Sequence, residues 1–201
     1  YPQGPPTTLA MLRQRAAARL IEIDPFDASA HTALGDLALA RGDVPVALRE
    51  LQAAVDAVGA AFGRIDALIN SAFCYGPMES VATGNPESWR EVFETNVFGS
   101  MTLTQQVIPQ MKRQGSGAIL FINSQAIRRP SHAGAYAASK GALKVLATYL
   151  ARDLGPLGIR VNTLLPGIMW SESVQAHIHR TATEQGVPEK EVTDRIVANI
   201  A

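Results

Sequence analysis

Ala118-Ile119-Leu120-Phe121-Ile122-Asn123 is the stretch of sequence that decides the fold. An unbroken apolar run of this length is typical of a strand that is buried on both faces of a sheet. Similar runs stand at 65–70 and 159–165. Long helical patterns separate them, one from Pro86 toward Lys112, with Asn85 as its cap, and one at about 135–154. This alternation of strands and helices predicts an α/β fold with a parallel sheet and right-handed crossovers.

The sequence before residue 57 differs in kind, because residues 7–57 are predicted to be helical hairpins without strands. Asp24-Pro25 and Arg41-Gly42-Asp43 separate the apolar-periodic segments. Small and large residues have the spacing of roughly one and a half tetratricopeptide repeats, too few to form an independent superhelix. We therefore divide the chain into a tetratricopeptide-like helical segment, 1–54, and an α/β region, 55–201. The residues with the repeat spacing are Leu34, Gly35, Gly42, Ala47, Leu51 and Ala54.

The amino-acid composition disfavours several classes of binding partner. The 18 basic and 18 acidic residues cancel, so no net field favours nucleic acid or anionic lipid. No apolar run reaches the length of a membrane span. Cys74 is the only cysteine, which fits a reducing compartment such as the cytoplasm. His177 and His179 stand two apart on a predicted helix, where side chains diverge, so we expect no metal site.

Tyr136 and Lys140 begin the second long helix and stand four residues apart, which places them on one helix face. Ser124 directly follows the strand 118–123. An ammonium within hydrogen-bonding range of a phenol lowers its pKa from about 10 and makes it a useful acid or base. Many surface helices carry Tyr and Lys by chance, so the pair alone also fits a solvated face.

The region from about 55 to 200 resembles the short-chain dehydrogenase/reductase family in five separated signals. They are the turn Asn70-Ser71-Ala72, Asn96 in a helix, Ser124 after a strand, the Tyr136/Lys140 pair, and Pro166-Gly167 after the strand 159–165. The resemblance implies a partial Rossmann-like sheet with strands like the family's fourth to sixth. It also implies an NAD(P)-dependent oxidoreductase that transfers a hydride between nicotinamide and a carbonyl or alcohol substrate.

The resemblance also implies a role for each matching residue. Tyr136 would exchange the proton, Lys140 would lower its pKa and hold the nicotinamide ribose, and Ser124 would bond the substrate oxygen. Asn96 would hold a proton-relay water, although a structural hydrogen bond explains a buried mid-helix asparagine almost as well. The residues that would contact NAD or NADP are Asn70, Ala72, Tyr136, Lys140, Pro166, Gly167, Ile168 and Ser171.

The sequence departs from the family where the dinucleotide pyrophosphate would bind, because it contains no Thr-Gly-x-x-x-Gly-x-Gly turn. Gly59 and Gly63 are expected to close a helix ahead of a strand, which is the wrong order for binding phosphate. Without the family's first strands, the strand 65–70 becomes an apolar edge. Phe73 replaces a glycine beside the cofactor. These departures predict an impaired enzyme and leave the choice between NAD and NADP open.

The family commonly assembles through the helices matched here by 86–112 and 135–154, which makes a homo-oligomer plausible. The alternative to an oxidoreductase is a non-catalytic interaction module, in which the N-terminal helices bind a protein partner and the α/β region is an inactive scaffold.

Overall fold

The computed structural model describes residues 18, 34, 35, 38, 43–130 and 132–198. The chain divides into two compact units between Leu164 and Leu165. The first contains the predicted sheet and the second is a helical pair. Each is described by itself.

The first long helix of the described region, α1 (Val44–Phe62), has caps at both ends. The Asp43 side chain accepts a hydrogen bond from the Val46 N–H at 3.3 Å. Gly63 ends the helix at φ 70°, a left-handed conformation that glycine adopts without strain. The N–H of Gly63 bonds the Gly59 carbonyl, so the predicted helix stop is confirmed.

The predicted tetratricopeptide-like segment lies largely outside the described residues. Of that segment before α1, Ala18, Leu34, Gly35 and Ala38 are helical. The predicted boundary between residues 54 and 55 falls inside α1, and the division of the chain at that point stays a prediction.

Among the described residues the sheet has three parallel strands, in the order β1 (Ala67–Asn70), β2 (Gly117–Ile122) and β3 (Ile159–Leu164). Ile69 pairs with Leu120, and Phe121 pairs with Thr163. The parallel α/β fold predicted from the three apolar runs is therefore confirmed. The carboxyl ends of parallel strands lie at one edge, where open α/β sheets bind ligands.

β1 is shorter than predicted and is not a buried strand. The backbone N–H and C=O of Ile65 bond the side chain of Gln114, both at 2.8 Å, instead of joining a ladder. Within β1 only Asn70 is buried, and Ile69 is 60% exposed. The reason is position, because β1 is an edge strand, as the sequence also predicted.

The helix predicted from Pro86 toward Lys112 is interrupted. It consists of α2 (Pro86–Phe93), a π-helix (Glu94–Gly99) and α3 (Ser100–Gln114). The predicted cap is confirmed, since Asn85 accepts a hydrogen bond from the Glu87 N–H at 3.0 Å. The π-helix contains Asn96, which is fully buried. Single π turns inside α-helices are frequent at functional sites.

The main core lies between the sheet and the helices α1, α3 and α4 (Gly134–Leu154). Phe121 and Ile119 of β2 are at its centre, and Leu143 of α4 packs on them. Short 3-10 turns follow β2 at Gln125–Ile127 and α4 at Gly155–Leu157. This packing fixes the end of β2 against the start of α4.

The second unit contains α5 (Glu172–Gln185) and α6 (Glu189–Ala198). These helices bury a small apolar cluster of Ile178, Ala182 and Val192. His177 and His179 are exposed on α5. His179 Nδ1 lies 2.7 Å from a carboxylate oxygen of Glu189.

Candidate active site

Ser124 stands at the carboxyl end of β2, and its neighbour Asn123 positions it. The Asn123 side chain accepts a hydrogen bond from the Ser124 N–H at 3.0 Å. The same side chain donates to Thr163 Oγ1 at 3.2 Å, across to β3. Asn123 is only 2% exposed, so these contacts are sheltered from water. The position of the Ser124 backbone is thereby tied to the last residues of two strands.

Tyr136 and Lys140 project from the first turns of α4 toward the same place. Both are buried, and Lys140 is 2% exposed. Lys140 Nζ donates a hydrogen bond to the Ile122 carbonyl at 2.8 Å and lies 5.6 Å from the centroid of the Tyr136 ring. Ser124 lies within hydrogen-bonding reach of the phenol. The structure therefore brings Ser124, Tyr136 and Lys140 together at the carboxyl end of β2.

The pKa of Tyr136 runs opposite to the direction expected from the sequence. Burial raises the pKa of the phenol above its usual value, the Ser124 hydroxyl lowers it less, and Tyr75 raises it further. The expected lowering by Lys140 is wrong in this structure, because the ammonium is directed to the Ile122 carbonyl. The dominant effect on the phenol is therefore loss of water.

Burial also changes Lys140 itself. The pKa of its ammonium falls from 10.5 to about 8, because burial disfavours the charged form. At pH 7 the ammonium is still mostly protonated. It can therefore act as a buried cation beside the phenol ring.

Asn96 connects the π-helix to two other segments. Its Oδ1 accepts from the Cys74 N–H at 2.6 Å, and its Nδ2 donates to the Cys74 carbonyl at 2.9 Å. Nδ2 also donates to Ser139 Oγ at 2.8 Å, and that hydroxyl donates to the Tyr136 carbonyl at 2.7 Å. Both amide hydrogens are therefore used. One lone pair of Oδ1 remains for a water.

Two aromatic side chains from the loop after β1 lie against Tyr136. The Tyr75 ring is 4.6 Å from the Tyr136 ring, centroid to centroid, and tilted by 32°. The Phe73 ring is 6.1 Å away in an edge arrangement, at 63°. Lys140 Nζ lies 6.0 Å from the Phe73 centroid. Phe73 is thus beside the phenol and the ammonium.

The other residues predicted to bind the cofactor are Asn70 and Ala72 in the first unit and four residues in the second. The Asn70 side chain is buried and donates to Thr104 Oγ1 at 3.1 Å, so it points into the interior, whereas Ala72 is exposed. The second unit holds the other four. There Ser171 caps α5 by accepting from the Val174 N–H, at 3.3 Å. The turn before it, Pro166 to Ile168, is irregular and becomes exposed from Gly167 onward.

Sequence reasoning missed Asn123, Ser139 and Tyr75 as parts of this site. Asn123 had a signal, because a buried polar residue at the end of an apolar strand needs partners. Ser139 lies between Tyr136 and Lys140, and its proximity to Asn96 depends on tertiary structure. Tyr75 carried no local signal.

The described part of the chain offers two further negative findings. No group of three or more His, Cys, Asp or Glu side chains in it is arranged to hold a metal ion. Of the helices described, none has the length and apolar character needed to cross a membrane.

Comparisons with known proteins agree with this geometry. A family model of short chain dehydrogenases matches residues 11–181. A 7alpha-hydroxysteroid dehydrogenase of Escherichia coli K12 is 34% identical over 131 residues, 65% of this chain and 51% of that protein. A D-threitol dehydrogenase of Mycolicibacterium smegmatis is 37% identical over 126 residues, 61% of this chain and 47% of that protein.

A solved NAD+-bound xylitol dehydrogenase has a TM-score of 0.66 and 28% identity, covering 76% of this chain and 61% of that one. The chain thus spans about half the length of the two curated relatives described above. The family match begins at residue 11 and so includes much of the segment predicted to be tetratricopeptide-like. That second resemblance stays a prediction.

Proposed function

The chain belongs to the short chain dehydrogenase family, and on that premise we propose that it is an oxidoreductase that interconverts a carbonyl and an alcohol with NAD or NADP. The observation that carries the proposal is the convergence at the end of β2. There the Ser124 hydroxyl is within hydrogen-bonding reach of the Tyr136 phenol, and the buried Lys140 ammonium is beside the phenol ring.

Each of these groups has a distinct task in the proposal. The Tyr136 phenol donates a proton to the substrate oxygen during reduction and removes it during oxidation. The Ser124 hydroxyl hydrogen-bonds the same oxygen and holds it near the phenol. The Lys140 ammonium, which lies beside the phenol ring, holds the ribose of the cofactor. Asn96 would hold a relay water through its remaining Oδ1 lone pair.

The residues present fit one end of a dinucleotide. An ammonium has three N–H donors, and the Ile122 carbonyl takes one of those of Lys140, which leaves donors for ribose hydroxyls. When bound, the nicotinamide would supply or accept the hydride. The pyrophosphate part of the dinucleotide has no matching binding residues, because the sequence has no glycine-rich turn. Impaired catalysis is therefore part of the proposal.

Cofactor binding tests this division. When NADH or NADPH is titrated into the chain and followed by cofactor fluorescence, we expect binding weaker than micromolar. Reduced nicotinamide mononucleotide should bind within about threefold of NADH, since the missing contacts are on the adenosine side. ADP-ribose is the control and should compete poorly. A submicromolar dissociation constant for either dinucleotide, or strong competition by ADP-ribose, would contradict the proposal.

We also propose that the protein forms a homo-oligomer through helices 86–112 and 135–154. Two features support it. Val145 of α4 is 58% exposed, and Phe98 of the π-helix is 54% exposed. A groove of about 320 Å³ is lined by Trp89, Arg90, Phe93, Glu94 and Phe98. Exposed apolar surface of this kind marks interaction sites.

Sedimentation velocity tests the oligomer. Val145→Glu should shift the protein toward the monomer, because it would place a charge in an apolar contact. Lys144→Glu, which changes a neighbouring exposed side chain on the same helix, provides the comparison for charge alone. A parent chain that sediments as a monomer at all concentrations would end this proposal.

A further inference from the structure

The loop that follows β1, residues 71–79, is held at several points; we call it the aromatic loop. The Asn96 amide bonds both the N–H and the carbonyl of Cys74. At the far end the N–H of Glu79 donates to the His132 carbonyl at 2.9 Å, and Glu79 pairs with Ala133 just before α4. Such contacts fix the backbone on both sides of Tyr75.

Gly76 adds a third restraint. It has φ 70°, which disfavours any other residue, and an added Cβ would lie 2.6 Å from a methyl group of Val92. Val92 is itself fully buried in α2. The aromatic loop is therefore packed closely against this helix immediately after Tyr75.

The two aromatic side chains beside Cys74 are exposed although their backbone is fixed. Phe73 is 60% exposed and Tyr75 is 43% exposed. Both contact the Tyr136 ring, at 6.1 and 4.6 Å between centroids. An exposed aromatic ring is not unusual by itself, since Phe62 is 74% exposed, but two such rings held against one phenol form a surface on which a planar ligand can pack. Here their exposed surfaces border the phenol that would exchange the proton.

We infer that Phe73 and Tyr75 form an aromatic wall that selects substrates in which a planar unsaturated ring adjoins the reacting carbonyl or alcohol carbon. A ring held next to Tyr75 would place its attached oxygen near the Tyr136 phenol. Aromatic contacts favour an unsaturated ring over a saturated one of similar area by about two- to tenfold. This inference rests on the proposed function only for the position of the reacting oxygen.

Acetophenone and cyclohexyl methyl ketone test the wall, because the two ketones differ only in the saturation of the ring. Their dissociation constants are measured on the full chain by ligand-observed NMR, and their kcat/KM values with NADPH and NADH. We expect acetophenone to be preferred by about two- to tenfold in binding. Conjugation with the ring makes the acetophenone carbonyl less reactive toward hydride, so the preference is judged by the dissociation constants, and kcat/KM shows whether each ketone is reduced.

Variants of Tyr75 distinguish the loss of an aromatic contact from a general disturbance of the aromatic loop. Tyr75→Leu should lower the ratio of the two dissociation constants toward one, with Phe73 keeping part of the preference, whereas Tyr75→Trp, which keeps a stacking surface, should preserve the full preference. Phe62→Leu removes another exposed aromatic ring, at the end of α1, and should leave the ratio unchanged. A ratio that survives Tyr75→Leu, or falls equally with Tyr75→Trp, would overturn the wall.

The experiment gives different results if the aromatic-wall inference is wrong and if the proposed function is wrong. If acetophenone is preferred in binding but no ketone is reduced, the wall stands and the oxidoreductase assignment fails. If both ketones are reduced and bind equally, the oxidoreductase assignment stands and the wall is wrong. If neither ketone binds, the wall is wrong.

Discussion

Tyr136→Phe is expected to abolish turnover, with kcat reduced by about 10²- to 10⁴-fold, the usual contribution of a positioned acid or base. The substitution removes one oxygen and keeps the ring that contacts Phe73 and Tyr75. It should therefore leave the fold and ketone binding largely intact. Because burial raises the pKa of the phenol, the group is protonated at neutral pH and is ready to donate during carbonyl reduction.

The measurement is steady-state turnover of a ketone at saturating reduced cofactor, with circular dichroism to confirm folding. Tyr149→Phe is the matched control, since Tyr149 lies on the same helix and is 60% exposed. It should retain the parent rate. Residual turnover of Tyr136→Phe within tenfold of the parent would show that another group moves the proton.

Lys140→Met is expected to remove turnover while stabilising the fold at pH 7. The ammonium has a pKa of about 8 in the folded chain and 10.5 as its ordinary value. The unfolded chain therefore binds the proton more tightly, and the buried charge destabilises the fold wherever both states are protonated. Replacing it should raise the free energy of unfolding by about 1–3 kcal/mol, after allowing for the Ile122 carbonyl left without its donor.

The sign of the pH dependence makes this prediction specific. Between pH 8 and 10.5 the unfolded state holds more protons than the folded state, so the stability of the parent should rise with pH. The gap between parent and Lys140→Met should accordingly shrink over that range. Urea unfolding at pH 7 and pH 9.5 measures it, with the exposed Lys144→Met as control. A variant less stable than the parent at pH 7 would contradict the sign.

At this site we expect stability and function to conflict. Lys140 is buried at a cost in stability and retained beside the phenol, a pattern more common at functional sites than in cores. A decayed scaffold would have no reason to keep the charge. If Lys140→Met raises the free energy of unfolding and Tyr136→Phe abolishes ketone turnover, both expectations of an oxidoreductase site are met.

Several parts of the fold could be predicted from the sequence because they depend on neighbours along the chain. The apolar run identified the strand β2, of which Ile119 and Phe121 are buried, and Asn85-Pro86 identified the start of α2. Gly63 identified the end of α1. The spacing of Tyr136 and Lys140 placed both on one face of α4. Helical period, capping and apolar runs are local properties, so the sequence alone carries them.

Other features depended on contacts between distant parts of the chain. Gln114, which is 49 residues away along the chain, accepts a hydrogen bond from the N–H of Ile65, and Ile65 lies outside β1. The Asn96 amide joins Cys74 and Ser139 across 22 and 43 residues, within a π-helix that the sequence predicts as ordinary helix.

By itself, the sequence determined which residues could do chemistry, namely Ser124, Tyr136 and Lys140, because residue type and helical spacing are written along the chain. Only the tertiary structure decided how those groups behave. Burial, not the Lys140 charge, sets the direction of the Tyr136 pKa, and the aromatic loop brings Phe73 and Tyr75 onto the phenol. The physical reason is that the loss of water around a group depends on everything packed around it, and most of that comes from elsewhere in the chain.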